Sequence, residues 1–412
     1  MSDQITPNSH AALTGARPAW TSPSFQLLCS AARRMRYGSL KVILPNGAEL
    51  DFVGEEETET QATLIVNDFA FARRTLLGGD IGFFEAYADG QWDTPHLADL
   101  LYIFPRNADY IASVFDGSPI AAIAEQARHS WARRNTRSGS RRNISAHYDL
   151  GNTFYEKWLD RSMTYSSAKF RAPADDLATA QLNKYRSLAE LIDLRPDDRV
   201  LEIGSGWGGF AEYAAKHVGA KVTGLTISRE QYEYASKRIF EQGLSDRVDF
   251  QLRDYRDADG EYDKVASIEM FEAVGREYWP TYFRKINERL KPGGVAGLQV
   301  ITIADRLFDQ YLRSIDFIQR YVFPGGVLPS PTALRDQVEK AGLAWRGATH
   351  FGDDYARTLA EWHDAFLSKW QEIQPLGFDE RFKKLWRFYL AYCEAGFRAK
   401  TTDVIQVTVG RP

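Results

Sequence analysis

The sequence has very little cysteine and no stretch apolar enough to cross a bilayer. Only Cys29 and Cys393 occur among 412 residues, too few for a disulfide framework and in agreement with a reducing cytoplasm. No apolar run approaches the roughly 18–20 residues of a transmembrane helix. The N-terminal stretch, MSDQITPNSHAALTGARP, is polar and lacks the apolar segment of a secretory signal. We therefore expect a cytoplasmic protein in which residues 1–22 form a disordered tail.

A strong net charge is also absent. The formal net charge is −4 at pH 7, which argues against bulk binding of nucleic acid. The hydrophobic share of 44% and the charged share of 26% are those of a globular protein. A chain of 412 residues is too long for one ordinary core, so we expect two domains or one heavily embellished domain. We assign no metal site.

The most informative segment is VLEIGSGWGGF, residues 200–210. It predicts a buried strand followed by a turn in which glycines let the backbone approach a ligand. A helix beginning near Trp207 would point its N-terminal amides at an anionic or carboxylate group of that ligand. The residues assigned to cofactor binding in this segment are Glu202, Gly204, Ser205, Gly206, Gly208 and Gly209.

Three interpretations of this glycine segment remain open. A tight turn without a ligand would need fewer glycines. The spacing also satisfies the G-x-G-x-x-G pattern of NAD-binding proteins. The order E-x-G-x-G-x-G favours S-adenosylmethionine, because Glu202 can counter the positive charge of that ligand.

Strand and helix patterns alternate from about residue 197 onward. Strands are predicted in DRVLEIGSG, AKVTGLTIS, RVDFQLRDY, YDKVASIEM and VAGLQVIT, with helices between them, the last being WPTYFRKINERLKPGG. This order predicts an α/β fold with a mostly parallel, doubly wound sheet of the Rossmann type. Residues 303–345 form an aromatic, largely helical insertion, and the remainder is predicted to be mainly helical.

Further cofactor-binding candidates follow the predicted strands, where ligands of such sheets bind. Thr226, Ser228 and Gln231 offer hydroxyl and amide groups to a ribose, and Thr226 and Ser228 also fit a helix N-cap. Asp254 and Tyr255 suit an adenine amine and ring edge.

The N-terminal part predicts a small α+β domain over residues 23–125. Apolar runs on both sides of Pro45-Asn46-Gly47 indicate a hairpin. ATLIVND, residues 62–68, predicts a strand, and the segment around Gly78-Gly79 predicts two helices separated by a break.

A basic linker follows at residues 126–145. The segment from Arg128 to Arg142 contains six arginines and no acid. It fits a solvated linker between domains, and it also fits a polybasic contact with anionic lipid headgroups. In a chain that is slightly acidic overall, we favour the lipid contact.

Two carboxylates lie three residues apart in IEMFEAVG, residues 268–275. Glu269 and Glu272 could share one side of a helical turn and orient a base or stabilise a cation, or they could be an ordinary acid pair at a helix start. Tyr355 in HFGDDYARTL fits a structural role or a catalytic one.

Together these motifs resemble the cyclopropane-fatty-acid synthase family. The resemblance covers nearly the whole chain and is carried by AHYDLGNTFYEKWLDRSMTYSSA, VLEIGSGWGGFAEYAA, VTGLTISREQ, DYRD, SIEMFEAVG, LKPGG, YVFPGGVLPS, FGDDYARTL and YLAYCEAGFRAK. GSLKVILPNG and GGDIGFFEAYADGQWD resemble the N-terminal unit of the phospholipid-acting bacterial branch. The resemblance implies a class I methyltransferase catalytic domain at residues 146–412, a helical lipid-pocket insertion, and a lipid-associated N-terminal domain that forms a homodimer.

The resemblance implies methyl or methylene transfer from S-adenosylmethionine to the double bond of an unsaturated phospholipid acyl chain at the inner membrane surface. A carbocation forms, so water must be excluded. Aromatic side chains shield the cation; in the insertion these are Phe308, Tyr311, Phe317, Tyr321 and Phe323. A base then removes a proton, and in this family the base is a bound bicarbonate.

The bicarbonate site carries over only in part. The family's glutamate, tyrosine and backbone amide match Glu272, Tyr355 and Ile301. Its cysteine is Ser167, after Tyr165 and Ser166 of the cofactor pocket, and its bicarbonate-holding histidine is Gln299. The histidine that follows the glutamate in the family is Ala273 here. Ser167 and Gln299 can still hydrogen-bond an anion, so we expect a diverged bicarbonate site. Cys393 matches a family cysteine, and we favour a buried structural role for it.

The altered site leaves the product open between a cyclopropane and a methyl-branched alkene. Two other functions are weighed: a methyltransferase for a soluble small molecule, and a non-catalytic protein that binds lipid or S-adenosylmethionine. An NAD dehydrogenase fits less well, because the second strand ends in Thr226-Ile227-Ser228 and not in an acid.

Overall fold

The computed structural model describes residues 22–115 and 150–412, which form two sheets. The predicted tail, apart from Ser22, and the basic linker with the segment from Arg128 to Arg142 lie outside the described residues.

The N-terminal unit is built on a four-stranded sheet of order β2-β1-β3-β4. Its strands are β1 Tyr37–Ile43, β2 Glu49–Val53, β3 Glu56–Val66 and β4 Trp92–Asp93. The predicted hairpin is confirmed: β1 and β2 are antiparallel, and the turn between them uses Gly47 at φ +80°. Burial alternates along β1, as expected for a strand with one face on a core.

Four helices surround this sheet: α1 Pro23–Ala32, α2 Ala70–Ala88, α3 Leu97–Arg106 and α4 Ala108–Phe115. The predicted break at Gly78-Gly79 is a kink within α2, where Gly79 has φ 57° and ψ −137°. Glycine adopts this backbone geometry without the steric cost of a Cβ.

The second sheet has seven strands in the order β10-β11-β9-β8-β5-β6-β7. The strands are β5 Arg199–Ile203, β6 Lys221–Thr226, β7 Val248–Leu252, β8 Tyr262–Ile268, β9 Leu290–Ile303, β10 Ala344–His350 and β11 Thr402–Gly410. β9, β8, β5, β6 and β7 are parallel neighbours, so the carboxyl ends of these strands share one edge. The predicted α/β fold with a mostly parallel sheet is confirmed.

The helices of this part are α5 Asn152–Glu156, α6 Leu177–Leu191, α7 Gly209–Tyr213, α8 Arg229–Glu241, α9 Trp279–Arg289, α10 Asp305–Tyr311, α11 Pro331–Lys340, α12 Gly352–Ser368, α13 Trp370–Ile373 and α14 Glu380–Arg398. A π-helical turn extends α7 over Ala214–Val218, and another lies in the insertion at Ile318–Val322. The insertion is therefore helical, as predicted.

Two details differ from the sequence prediction. The last helix of the alternating pattern ends at Arg289, and LKPGG already belongs to β9. The C-terminal region was predicted as mainly helical but also supplies β10 and β11, which pair with each other and with β9 in antiparallel fashion. β11 lies inside the sheet, where its partners on both sides satisfy its backbone hydrogen bonds.

The N-terminal unit packs against the insertion and α14. Phe84 lies 4.7 Å from Phe317 and 5.2 Å from Phe388 between ring centroids. The Asp80 carboxylate accepts hydrogen bonds from Phe317 N and the Tyr392 hydroxyl, at 3.0 and 2.9 Å. One continuous apolar core therefore joins the two units. Within residues 22–115 and 150–412, no helix has the length and apolarity needed to cross a membrane.

Candidate active site

A large cavity opens at the carboxyl ends of the parallel strands and extends into the N-terminal unit. Its volume is about 1340 Å³. At one end it is lined by the glycine turn after β5, and at the other by apolar side chains of the N-terminal unit, including Leu40, Val42, Leu64 and Phe71. A typical pocket for one small ligand has about 300–1,000 Å³, so this cavity has room for two reactants.

The glycines of the turn have different surroundings. Gly206 has φ +52°, and a Cβ built on it would meet no atom of the described residues within 4 Å. Gly204 has φ +81°, and a Cβ there would lie 2.5 Å from Met270 Cγ. A Cβ on Gly208 would lie 2.9 Å from the Phe250 ring. Gly204, Ser205, Gly206 and Gly209 line the cavity, whereas Gly208 serves packing behind the turn.

Glu202 and Lys184 are both buried, and each acts electrostatically on the other. Glu202 is 2% exposed, and its Oε2 has no hydrogen-bond partner among the residues that the structure describes. Burial raises the pKa of Glu202 well above its usual value, and Lys184 opposes that effect. Burial lowers the pKa of Lys184 to about 7, opposed by carboxylates that include Glu269 and Glu202. Lys184 donates to Ser166 Oγ at 2.6 Å. The sequence analysis missed Lys184, because a lysine on an amphipathic helix carries no local signal of burial.

Of the candidate residues after β6 and β7, four line the cavity and one caps a helix. Thr226, Gln231, Asp254 and Tyr255 line the cavity. Ser228 does not line it and instead caps α8 by accepting from the backbone amide of Gln231 at 3.4 Å.

Asp254 and Tyr255 differ in how their polar groups are satisfied. Arg256 holds the Asp254 carboxylate through two side-chain hydrogen bonds of 2.9 and 2.6 Å. The buried Tyr255 hydroxyl has no hydrogen-bond partner in the described part of the chain. Tyr255 thus offers a free polar group at the adenine position that the sequence predicted.

Glu269 lies at the end of β8, with its carboxylate bonded on both oxygens. Its Oε1 accepts from Ser167 N at 2.8 Å and from Gln299 Nε2 at 2.7 Å. Its Oε2 accepts from the Tyr355 hydroxyl at 2.7 Å. Glu269 has φ 47°, a left-handed backbone that is uncommon for a residue with a side chain. Glu269 and Tyr355 line the cavity, whereas Ser167 and Gln299 lie behind them.

Glu272 also lines the cavity, at a short 3-10 turn after β8. The Ile301 amide donates to its Oε1 at 2.5 Å, and within the two described ranges its Oε2 has no hydrogen-bond partner. Burial and the neighbouring charge of Glu269 raise the pKa of Glu272 to about 8. Glu272 therefore keeps its proton at neutral pH.

The remaining candidates form an aromatic wall beside these carboxyl groups. The Tyr165 hydroxyl is 2.7 Å from that of Tyr389. The Tyr355 ring lies 4.6 Å from that of Phe397. Cys393 lines the cavity, and burial raises the pKa of its thiol, which fits a role other than nucleophile.

The aromatic side chains of the insertion point in different directions. Tyr311 and Phe323 line the cavity. Phe317 is fully buried in the core, Phe308 stacks on Trp279, and the Tyr321 hydroxyl donates to Glu85 Oε1 at 2.7 Å. Only part of the predicted aromatic set therefore faces the cavity. In the part of the chain that is described, no group of three or more His, Cys, Asp or Glu side chains could hold a metal ion.

Comparison with known proteins agrees with this geometry. Residues 135–407 match the model of a family described as mycolic acid cyclopropane synthetase. A tuberculostearic acid methyltransferase, UfaA1 of Mycobacterium tuberculosis, is 38% identical over 87% of this chain and 85% of its own length. The cyclopropane-fatty-acyl-phospholipid synthase of Escherichia coli is 35% identical over 85% of this chain and 88% of its own length. The crystal structure of the mycolic acid cyclopropane synthase CmaA1, complexed with SAH and CTAB, superposes with a TM-score of 0.62 at 27% identity, covering 66% of this chain and 98% of that one.

Proposed function

Because the chain belongs to the mycolic acid cyclopropane synthetase family, we propose that it modifies the double bond of an unsaturated acyl chain in a membrane phospholipid. The predicted family resemblance is confirmed. The chain is an S-adenosylmethionine-dependent methyltransferase of the cyclopropane-fatty-acid synthase type. One observation carries the lipid substrate: a single cavity joins the glycine turn to the apolar interior of the N-terminal unit.

The glycine end of the cavity fits S-adenosylmethionine. Gly206 leaves open space where a side chain would stand, and the buried Glu202 Oε2 lacks a partner close to that space. A positively charged ligand beside Glu202 would favour its carboxylate form, which burial alone disfavours. Tyr255 offers its unpaired hydroxyl to the nucleobase. When bound, S-adenosylmethionine supplies the electrophilic methyl group.

The apolar end fits an acyl chain. Side chains such as Leu40, Val42, Phe71 and Ile103 contribute to its lining, and apolar surface of this kind takes up a hydrocarbon chain from water or lipid. Tyr311, Phe323 and the aromatic wall line the same cavity. Aromatic faces attract a cation and exclude water, as a carbocation formed on methylation of the double bond requires.

For the product, we propose a methyl-branched alkene, with a cyclopropane as the alternative. Ser167 and Gln299 stand where the family has a cysteine and a histidine, so the group that removes the proton is held differently. The similarity to a tuberculostearic acid methyltransferase supports this choice. If these two positions direct the outcome, the double variant Ser167→Cys, Gln299→His changes the ratio of the two products. An unchanged ratio would contradict the argument.

The test is an assay with purified protein, S-adenosylmethionine and vesicles of a cis-unsaturated phosphatidylglycerol. We expect acyl chains one CH₂ heavier by gas chromatography–mass spectrometry, and double-bond derivatisation separates the two isomers. A methylated soluble compound formed without vesicles would support the soluble-substrate alternative. Absence of S-adenosylmethionine binding in calorimetry would support the non-catalytic one.

We also propose that the protein acts at the cytoplasmic face of the membrane through the segment from Arg128 to Arg142. Six arginines without an acid suit anionic headgroups. Wild type should sediment with anionic vesicles and much less with zwitterionic ones, and replacing the six arginines by glutamine should abolish the difference. Equal sedimentation would contradict the proposal. A homodimer stays a prediction that analytical ultracentrifugation tests.

A further inference from the structure

We propose that the Glu269 carboxylate is the base of the reaction, built into the chain at the place where the family holds bicarbonate. This inference rests on the proposed function and names the residue that takes the proton. It explains why the residues around the site differ from the family pattern.

The donors around Glu269 are those that an exogenous anion would need. The family resemblance implies that bicarbonate is held by the Tyr355 hydroxyl and by positions 167, 299 and 272. In the structure, the amide of Ser167, the amide group of Gln299 and the Tyr355 hydroxyl all donate to Glu269. The Ile301 amide, also assigned to bicarbonate, donates to Glu272. The residues present therefore do not fit bicarbonate, because its donors are taken and two carboxyl groups already occupy the site.

Gln299 is held in the orientation that this role requires. Its Oε1 accepts from Gln406 Nε2 at 3.1 Å, and Gln406 is fixed in turn by Ser187 Oγ at 2.7 Å. The Gln299 Nε2 group therefore points at Glu269. Glutamine donates to a carboxylate without carrying a charge, so it holds the anion and leaves it basic.

The bonding of Glu269 leaves room for one more proton. A carboxylate has about four lone-pair sites. Among residues 22–115 and 150–412, two donors reach Oε1 and the Tyr355 hydroxyl is the only one that reaches Oε2. One Oε2 lone pair remains, and the side chain lines the cavity.

The two neighbouring carboxyl groups have different surroundings. Burial raises the pKa of Glu269, and Lys184 together with three hydrogen bonds, from Gln299, Tyr355 and Ser167, opposes that rise. Glu272 accepts from the Ile301 amide, and burial and the charge of Glu269 favour its neutral form. The three donors on its carboxylate favour Glu269 as the base, with Glu272 as its neutral neighbour.

The proposed reaction consists of a methyl transfer followed by a proton transfer. The alkene π electrons form a bond to the methyl carbon, and the sulfur keeps the electron pair of the broken bond. Glu269 Oε2 then takes a proton from a carbon next to the cationic centre. The electron pair of that C–H bond forms a new double bond, or closes a cyclopropane if the proton comes from the new methyl group. Glu269 ends the step as a neutral acid and returns the proton to solvent after product release.

The backbone at Glu269 supports a functional role. A left-handed conformation outside glycine is strained and persists where surrounding structure enforces it, most often at active sites. Here the Glu269 amide donates to Gln299 O at 2.8 Å, which holds the strained residue to β9.

The test compares bicarbonate dependence and variants in buffer purged of carbon dioxide. Wild type should turn over at the same rate with and without added bicarbonate. Glu269→Gln should lose about 10²–10⁴-fold in turnover and bind S-adenosylmethionine within a few fold of wild type. Glu269→Gly relieves the backbone strain and empties the site, so added bicarbonate should restore part of its activity. Glu277→Gln, an exposed carboxylate eight positions away, is the matched control and should behave as wild type.

Two results would overturn the assignment: a wild-type rate that falls when bicarbonate is removed, or normal turnover by Glu269→Gln. The first does not depend on any variant folding. Both are distinct from failure of the proposed function, in which wild type would produce no heavier acyl chain under any condition.

Discussion

A single substitution in the glycine turn tests whether the cofactor binds where the structure places the space for it. Gly206 has φ +52° and nothing within 4 Å of its built Cβ. Valine at this position suffers backbone strain and projects into the cavity. We expect Gly206→Val to stay folded and to bind S-adenosylmethionine with a lower affinity.

A matched control distinguishes the effect of backbone strain from the effect of filling the space that the ligand needs. Gly47 lies in the hairpin turn of the N-terminal unit with φ +80° and also has nothing within 4 Å of a built Cβ. Both valine variants should lose about 1–3 kcal/mol of stability from the left-handed backbone. Only Gly206→Val blocks the ligand.

The expected magnitude follows from overpacking. In the complex, the valine side chain would overlap the space that the bound ligand fills. Overpacking of this kind costs about 1–3 kcal/mol, and each ~1.4 kcal/mol lowers the affinity tenfold. The affinity of Gly206→Val for S-adenosylmethionine should therefore fall about 5- to 150-fold in titration calorimetry, while Gly47→Val binds normally. Thermal unfolding should show similar small losses in both. Normal affinity in Gly206→Val would refute the placement of the cofactor, and equal loss in both variants would refute the steric argument.

Three further predictions concern buried charged groups. Glu272→Gln should spare cofactor binding and keep most of the turnover, because burial and the charge of Glu269 favour the neutral form of Glu272 and an amide keeps that side chain neutral; a large loss of turnover would show that Glu272 also handles the proton. Burial and the charge of Asp80 raise the pKa of Asp316 to about 7, so wild-type stability falls as pH rises from about 4 through 7. The stability gained by Asp316→Asn should consequently be greater at pH 8 than at pH 5.5, by about 1–2 kcal/mol in thermal unfolding, and a gain independent of pH would contradict this. Lys184→Met removes the cation that lowers the pKa of Glu269, so the acidic limb of the kcat–pH profile should move to higher pH; an unmoved limb would show that Lys184 does not act on the base.

Local patterns were sufficient for the parts of the fold in which one short segment determines its own conformation. The strand and glycine turn at residues 200–210 and the hairpin around Gly47 follow directly from apolar runs and positive-φ glycines. β11 was missed although its signal was present: Thr402–Gly410 is rich in β-branched residues, but Gln406 and Thr408 interrupt its apolar run. β10 is an edge strand with mostly exposed side chains, so it has no buried face to reveal it.

The long-range contacts of the candidate site could not be predicted from the sequence. The sequence paired Glu269 with Glu272 because they are three residues apart, yet their roles depend on distant partners. Glu269 meets Ser167, 102 residues away, and Tyr355, 86 residues away. No sequence periodicity predicts such contacts. The burial of Lys184 likewise depends on residues distant in the sequence, such as Gln406. Only the fold shows that the changes at positions 167 and 299 accompany a carboxylate supplied by the chain itself.

The most direct test of the account follows deuterium from the methyl group of S-adenosylmethionine into the lipid. Purified protein is incubated with the trideuteromethyl cofactor and cis-unsaturated phospholipid vesicles in bicarbonate-free buffer, and the acyl chains are analysed by mass spectrometry after double-bond derivatisation. The account predicts a heavier, still unsaturated acyl chain that keeps all of the deuterium, because Glu269 removes a proton from the chain carbon. A product that has lost one deuterium and its double bond would be a cyclopropane and would contradict the proposed isomer. No heavier acyl chain until bicarbonate is added would contradict the built-in base.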